Sequence, residues 1–221
     1  MKAYEQPWRS VLPRRLPVII RVDGRAFHTF TRGCEKPFDA RLGDTMVSAA
    51  RDLCDDIQGA QFAYTQSDEI SVLVHSYKRF ESQAWFDNQV QKMCSVSASI
   101  AAARLTLEYG KAATFDARVF VLPEDDVCNY FVWRQQDAVR NSVNALAQSL
   151  YSHKDLFGVS QSQAQELCFA KGQNWNDLPT RWKRGVGLYR TTGGTWLPSY
   201  EIPTFSQERE YIERHLAKVD A

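Results

Sequence analysis

No apolar run in the 221 residues approaches the roughly 18 needed to cross a bilayer, so no membrane-spanning helix is expected. Residues 1–10 hold no apolar stretch that reads as a secretory signal, and a cytoplasmic location is expected. Cysteine is scarce and odd in number: Cys34, Cys54, Cys94, Cys128 and Cys168 are scattered, with no Cys-x-x-Cys pair. That argues against a disulfide framework and against a cysteine zinc site, and leaves reduced, mostly buried thiols. The net charge is only +1, whereas a surface given over to nucleic acid is usually more basic. Internal repeats and low-complexity segments are also missing.

What is present is ordinary for a globular chain, with 44% apolar and 24% charged residues. The length allows one large domain, or one domain with an appendage. Any contact with nucleic acid must come from local clusters of cations. Candidates are Arg9 with Arg14-Arg15, Lys78-Arg79, and Arg181-Trp182-Lys183-Arg184, where tryptophan lies among the charges. Taken alone, each reads first as a solvated face.

Periodicity supplies the architecture. Val18-Ile-Ile-Arg-Val22, closed by Asp23-Gly24, predicts a buried strand and a turn. Phe38, Leu42, Met46, Ala49, Ala50, Leu53 and Ile57 recur at helical spacing up to Gly59. Two β-like runs, Ala60-Gln-Phe-Ala-Tyr-Thr65 and Ile70-Ser-Val-Leu-Val-His75, flank a short polar interruption and predict a hairpin. A helical pattern follows over residues 85–109, with Val90, Met93, Val96, Ile100, Arg104 and Leu107 in step and Gly110 as its stop. A strand is predicted over residues 115–122, broken by Pro123.

The order β-α-β-β-α-β is that of a ferredoxin-like α/β (α+β) fold, also the core of polymerase and cyclase palm domains. We expect a palm-like domain over residues 1–135. A helical region packed on it should follow over residues 136–221, with a strand near 186–190 and a charged, solvated helix at 207–216.

In this fold the first strand lies antiparallel beside the third, so Asp23 and Asp68 should meet at one edge of the sheet. Two carboxylates there repel unless a cation neutralises them. Mg²⁺ suits oxygen donors, and a pair about 4 Å apart would serve nucleotidyl transfer. Gly24, lacking Cβ, would let its carbonyl approach a metal or phosphate. Glu69 is a weaker third anion. The plain alternative is a turn at Asp23-Gly24 and a polar hairpin tip at Ser67-Asp68-Glu69.

Four ordered blocks then bear on function: Arg21-Val-Asp-Gly-Arg-Ala-Phe-His28, Glu35-Lys-Pro-Phe-Asp-Ala-Arg41, Tyr64-Thr-Gln-Ser-Asp-Glu69 and Trp133-Arg-Gln-Gln-Asp137. With Lys171-Gly172 and Arg184-Gly185, they make most of the chain up to about Arg190 resemble the tRNA(His) guanylyltransferase family. The resemblance implies addition of nucleotides to a tRNA 5′ end in the 3′-to-5′ direction. It implies two Mg²⁺ ions on Asp23, the Gly24 carbonyl and Asp68, with tRNA, ATP and GTP or another nucleoside triphosphate as substrates. Asp23, Gly24, Arg25, Ala26, Phe27 and His28, with Ser67, Asp68 and Glu69, would line the nucleotide site. Lys36 and Lys171 would meet a triphosphate. Arg140, Asn141, Arg181, Lys183 and Arg184 are the candidate RNA contacts, and a homo-oligomer, tetramer or dimer, is implied.

One departure matters. Where members dedicated to tRNA(His) carry a His-Ile-Asn-Asn-Leu-Tyr-Asn-Thr block, this chain has Val139-Arg-Asn-Ser-Val-Asn-Ala145. Asn141 matches, but the leading histidine and the last asparagine are replaced. The reading therefore moves towards template-dependent repair of truncated tRNA 5′ ends. The rivals are the dedicated tRNA(His) reaction, a nucleotide cyclase or diguanylate synthase on the same palm, and a tRNA-binding module without catalysis.

Overall fold

The structure, a computed structural model, describes residues 1–77 and 81–216. The strands are β1 (Val18–Gly24), β2 (Ala60–Gln66), β3 (Glu69–Val74), β4 (Phe115–Val121), β5 (Val186–Arg190) and β6 (Trp196–Ser199). The helices are α1 (Lys2–Glu5), α2 (Phe27–Phe30), α3 (Ala40–Asp56), α4 (Val90–Tyr109), α5 (Glu124–Leu150), α6 (Gln161–Ala170), α7 (Thr180–Arg184) and α8 (Glu210–Glu213).

The six strands form one sheet in the order β4-β1-β3-β2-β5-β6, and every neighbouring pair is antiparallel. Its first four strands with α3 and α4 are the expected palm unit. β1 reads as a continuous apolar run because it is central and buried on both faces. Val18, Ile20 and Val22 face the layer that contains Met46, Ala50 and Leu53 of α3 and Met93, Ala101 and Leu105 of α4. Ile19 faces the opposite layer, with Phe131 of α5 and Phe205 and Ile212 of the tail.

The start of α3 is set by Asp39, whose carboxylate accepts from the Leu42 amide at 2.8 Å and caps the helix. Gly110 ends α4 in the left-handed conformation at φ 64°, as expected. The buried line of α4 is Met93, Ser97, Ala101 and Leu105, a four-residue step that winds around the helix. That drift leaves Leu107, expected inside, 82% exposed.

The C-terminal region departs from expectation in three ways. The proposed boundary at residues 135 and 136 falls inside the unbroken helix α5. The strand at 186–190 is present, but it pairs with β2 and brings β6 with it, so this region extends the palm sheet. The charged helix near residue 210 is no solvated element, because Ile212 is fully buried and Tyr211 packs on Phe205 at 5.7 Å. Its apolar positions dock the chain end while its charges face water. All five cysteines are free thiols. No helix among the described residues is long and apolar enough to cross a membrane.

Candidate active site

Strand register builds the site in three cross-strand rows on the face away from α3 and α4. Phe120, Ile19, Leu73 and Phe62 lie in the first, and α5 covers them. Arg118, Arg21, Ser71 and Tyr64 lie in the second. Asp116, Asp23, Glu69 and Gln66 form the third, at the edge where β1 ends and β3 begins. Alternation along each strand therefore turns an apolar floor into a charged rim within four residues.

Asp68 joins this rim through the two-residue turn between β2 and β3, whose first residue, Ser67, takes φ +50°. The Gly24 amide donates to the Asp68 carbonyl at 3.1 Å, which ties the end of β1 to that turn. The next amide, Arg25, donates to Thr114 at 2.9 Å, so the chain leaving β1 is held from both sides. Ser67 Oγ donates to Asp68 Oδ1 at 3.1 Å. Burial pushes the Asp68 carboxyl above the usual aspartate range, and the negative charge of Asp23 adds to the rise. Asp23 and Asp68 thus share one edge and one field, as the topology required.

Glu69 behaves differently from the expected third anion. Arg134 Nε donates to its Oε1 at 2.8 Å, and Arg21 stands 3.8 Å from its Oε2. Burial raises the Glu69 carboxyl and the two guanidinium groups oppose that rise. Arg134 also donates to Asp137 at 2.6 Å, and Gln135 holds the Pro203 carbonyl and the Phe205 amide. The Trp133-Arg-Gln-Gln-Asp137 block is therefore a clamp that fixes α5 and the tail to the rim. The mixture of cation, amides and acid on an otherwise packed helix was its sequence signal. Asp116, missed in the sequence, is an acidic neighbour of Asp23 in register and pairs loosely with Arg118 at 3.6 Å.

In the segment after β1, Ala26 adopts φ +52° and starts α2, while Arg25, Ala26 and His28 are exposed. Phe27 turns inward and stacks on Phe30 at 5.0 Å, so it is a core residue. A Cβ on Gly24 would lie 2.3 Å from the Phe27 ring. The glycine is required by packing as well as by any approach of its carbonyl to a ligand.

A cavity of about 270 Å³ opens beside the Ser67 turn. Its walls include Lys36, Phe38, Ser67, Asn141, Arg181 and Trp182. Phe38 and Trp182 stack at 5.2 Å with rings 8° from parallel, and Arg181 lies over Trp182 at 4.4 Å while donating to Asp44 at 2.6 Å. Four segments far apart in sequence thus converge here.

The structure does not bring every candidate to this place. Lys171 ends α6, with its ammonium 5.6 Å from the Tyr151 ring. Lys183 donates to the Asn176 carbonyl, and Arg140 pairs with Asp137. The Arg184 carbonyl accepts from Tyr64, and its side chain reaches towards Ile202. Arg9, Arg14 and Arg15 are exposed, whereas Lys78 and Arg79 lie outside the described residues. Among the described residues no three His, Cys, Asp or Glu side chains form a metal-binding group.

A palm sheet with two acidic residues at one edge, beside a cavity walled by stacked aromatics and cations, is the layout of a nucleotidyltransferase. The family described as Thg1, tRNAHis guanylyltransferase, matches residues 1–123. A probable tRNA(His) guanylyltransferase of Drosophila melanogaster is 30% identical over 212 residues, covering 86% of this chain and 72% of that one. The chain belongs to the tRNA(His) guanylyltransferase family. A bacterial tRNA(His) guanylyltransferase (Thg1)-like protein in complex with ATP superimposes with a TM-score of 0.94, at 44% identity and over 98% of this chain and 97% of that one. A GTP complex of such a bacterial protein gives 0.87 at 42% identity, over 97% and 96%. The Saccharomyces cerevisiae enzyme, at 21% identity, TM-score 0.76, and 95% and 100% coverage, shares the fold.

Proposed function

We propose that this protein adds nucleotides in the 3′-to-5′ direction to the 5′ end of truncated tRNA, with pairing to the opposite acceptor strand choosing each nucleotide. The observation that carries the reading is the meeting of Asp23 and Asp68 at one sheet edge through the Gly24–Asp68 hydrogen bond. Membership of the family and the ATP and GTP complexes of similar bacterial proteins support ATP and GTP as substrates.

Two Mg²⁺ ions fit the donor set. Asp23, Asp68 and the Gly24 carbonyl offer oxygen only, which suits a hard cation. Burial and the Asp23 charge both raise the Asp68 carboxyl, and a divalent ion between the two acids would relieve the cost. When bound, such ions would lower the pKa of an attacking hydroxyl and offset charge on the leaving group.

The chain's own residues do the positioning. Asp23 and Asp68 hold the charge centre at the rim, and the segment 23–28 with Ser67 borders it. Lys36 and Arg181 bring positive charge to the cavity beside Ser67, where a triphosphate would lie, and the Phe38–Trp182 stack offers an apolar wall for a base. The 3′-hydroxyl of the bound nucleotide attacks the 5′ phosphate of the RNA end. That phosphate is activated either as a triphosphate, which expels pyrophosphate, or by adenylylation with ATP, which expels AMP. Most of the rate then comes from alignment and charge stabilisation.

The second reading is the dedicated addition of one guanylate to tRNA(His), which the names of several relatives favour. Against it stand Val139 and Ala145 in α5. Ala145 lines the cavity beside Asn141, whereas Val139 faces a separate depression with Gln136 and Thr204. Incubation with full-length and 5′-truncated tRNAs and each nucleotide in turn separates the readings. Preference for the truncated RNA supports repair, and a single guanylate added only to tRNA(His) contradicts it.

A further inference from the structure

We infer that Trp133 is a stacking platform for the terminal base of the RNA acceptor end, with Arg21 beside it and Arg118 on the neighbouring strand to meet the adjoining phosphates. The inference rests on the proposed reaction at an RNA 5′ end and adds a recognition residue to it.

Trp133 opens the clamp block on α5, and the next two residues, Arg134 and Gln135, are buried while it remains 51% exposed. The indole rests on the Arg134 guanidinium at 4.1 Å. That guanidinium is itself fixed by Glu69 and Asp137, so the ring stands on a rigid cationic base. Tyr130 meets it edge-on at 5.9 Å. A tryptophan held in place on one side and open on the other is organised to receive another flat group.

The surroundings indicate what that group is. Arg21 lies 6.0 Å from the ring, and its 3.8 Å approach to Glu69 is too long for a hydrogen bond. Arg118 is the register partner of Arg21, on the same face of the sheet and with a side chain 56% exposed. Aromatic surface with one cation beside it and a second on the neighbouring strand matches a base and its phosphates. Asp23 follows Arg21 by two residues on the same face, about 7 Å along the strand. The platform therefore lies within reach of the nucleotide next to the reacting centre.

Trp133 is also distinct from the nucleotide cavity. It is not among the residues lining that cavity, which has its own aromatic wall in Phe38 and Trp182. Incoming nucleotide and RNA end are thus offered separate aromatic surfaces.

The test compares wild type, Trp133→Ala and Trp133→Phe in steady-state nucleotide addition to a truncated tRNA, with ATP and GTP binding measured without RNA. Loss of base stacking predicts a tRNA KM raised about tenfold or more in Trp133→Ala, with kcat much less changed. Trp133→Phe should recover most of the loss, and nucleotide affinity without RNA should match wild type. A 2-aminopurine at the RNA 5′ terminus should be quenched on binding wild type and not on binding Trp133→Ala. An unchanged tRNA KM, an unquenched probe on wild type, or weakened nucleotide binding without RNA overturns the inference. Absence of any addition by wild type instead overturns the proposed function, so the two failures are distinguishable.

Discussion

Arg134 donates to Glu69 at 2.8 Å from a helix 65 positions along the chain, and both side chains are almost fully buried. This pair joins the turn that carries Asp68 to the helix that carries Asn141 and Ala145. Removing one partner strands the other charge without solvent. Arg134→Ala should lose about 3–5 kcal/mol in chemical denaturation. A loss below about 1 kcal/mol, the range of surface pairs, would show that the clamp is dispensable.

Asp68 is destabilised in the folded state, because its carboxyl is raised by burial and by Asp23. The folded protein holds this proton more tightly than the unfolded chain. The contribution of Asp68 to stability is therefore full below the unfolded pKa and is lost as pH rises through the folded value. At neutral pH in a chelator, Asp68→Asn should melt above wild type although it is inactive. Mg²⁺ should raise the melting temperature of wild type and leave the variant nearly unmoved. Thermal denaturation with and without the ion checks both statements.

His215 moves the other way. Burial, and then the nearby Arg214 charge, hold its imidazole down to about 4, and it stacks on Phe62 at 4.8 Å. The folded value lies below the unfolded one, so its contribution is full above about pH 6.5 and is lost as pH falls towards 4. The span corresponds to at most about 3 kcal/mol. His215→Phe should flatten the stability profile between those pH values, as read by urea denaturation. An unchanged slope would mean that the tail does not bury this ring in solution.

Gly24 and Phe27 should be coupled. Gly24→Ala places a methyl group against the Phe27 ring, where a Cβ would lie at 2.3 Å. Overpacking of this kind costs about 1–3 kcal/mol. The double variant with Phe27→Ala should show a favourable interaction energy in a double-mutant cycle, and additivity would contradict the contact.

Much of this arrangement is legible in the sequence because it follows from local patterns. Apolar runs and turn residues mark β1 through β4, α3 and α4, and the palm topology then carries Asp23 to the turn at Asp68. The rest depends on partners that local patterns do not name. β6 is a four-residue edge strand containing Pro198, which reads as a break. Glu69 looks like a free acid until α5 is known to lie over it. The cavity joins Phe38 to Trp182 across most of the chain, and no periodicity links those positions. Ile212, alone among charges, gives too weak a signal to reveal a docked tail.

The most direct measurement is 5′-nucleotide addition to a truncated tRNA by wild type, Asp23→Ala and Asp68→Ala, each shown to be folded. The account predicts addition by wild type and a fall of several orders of magnitude in both variants, since each removes oxygen donors from the same charge centre. Near-normal addition by either folded variant would contradict it.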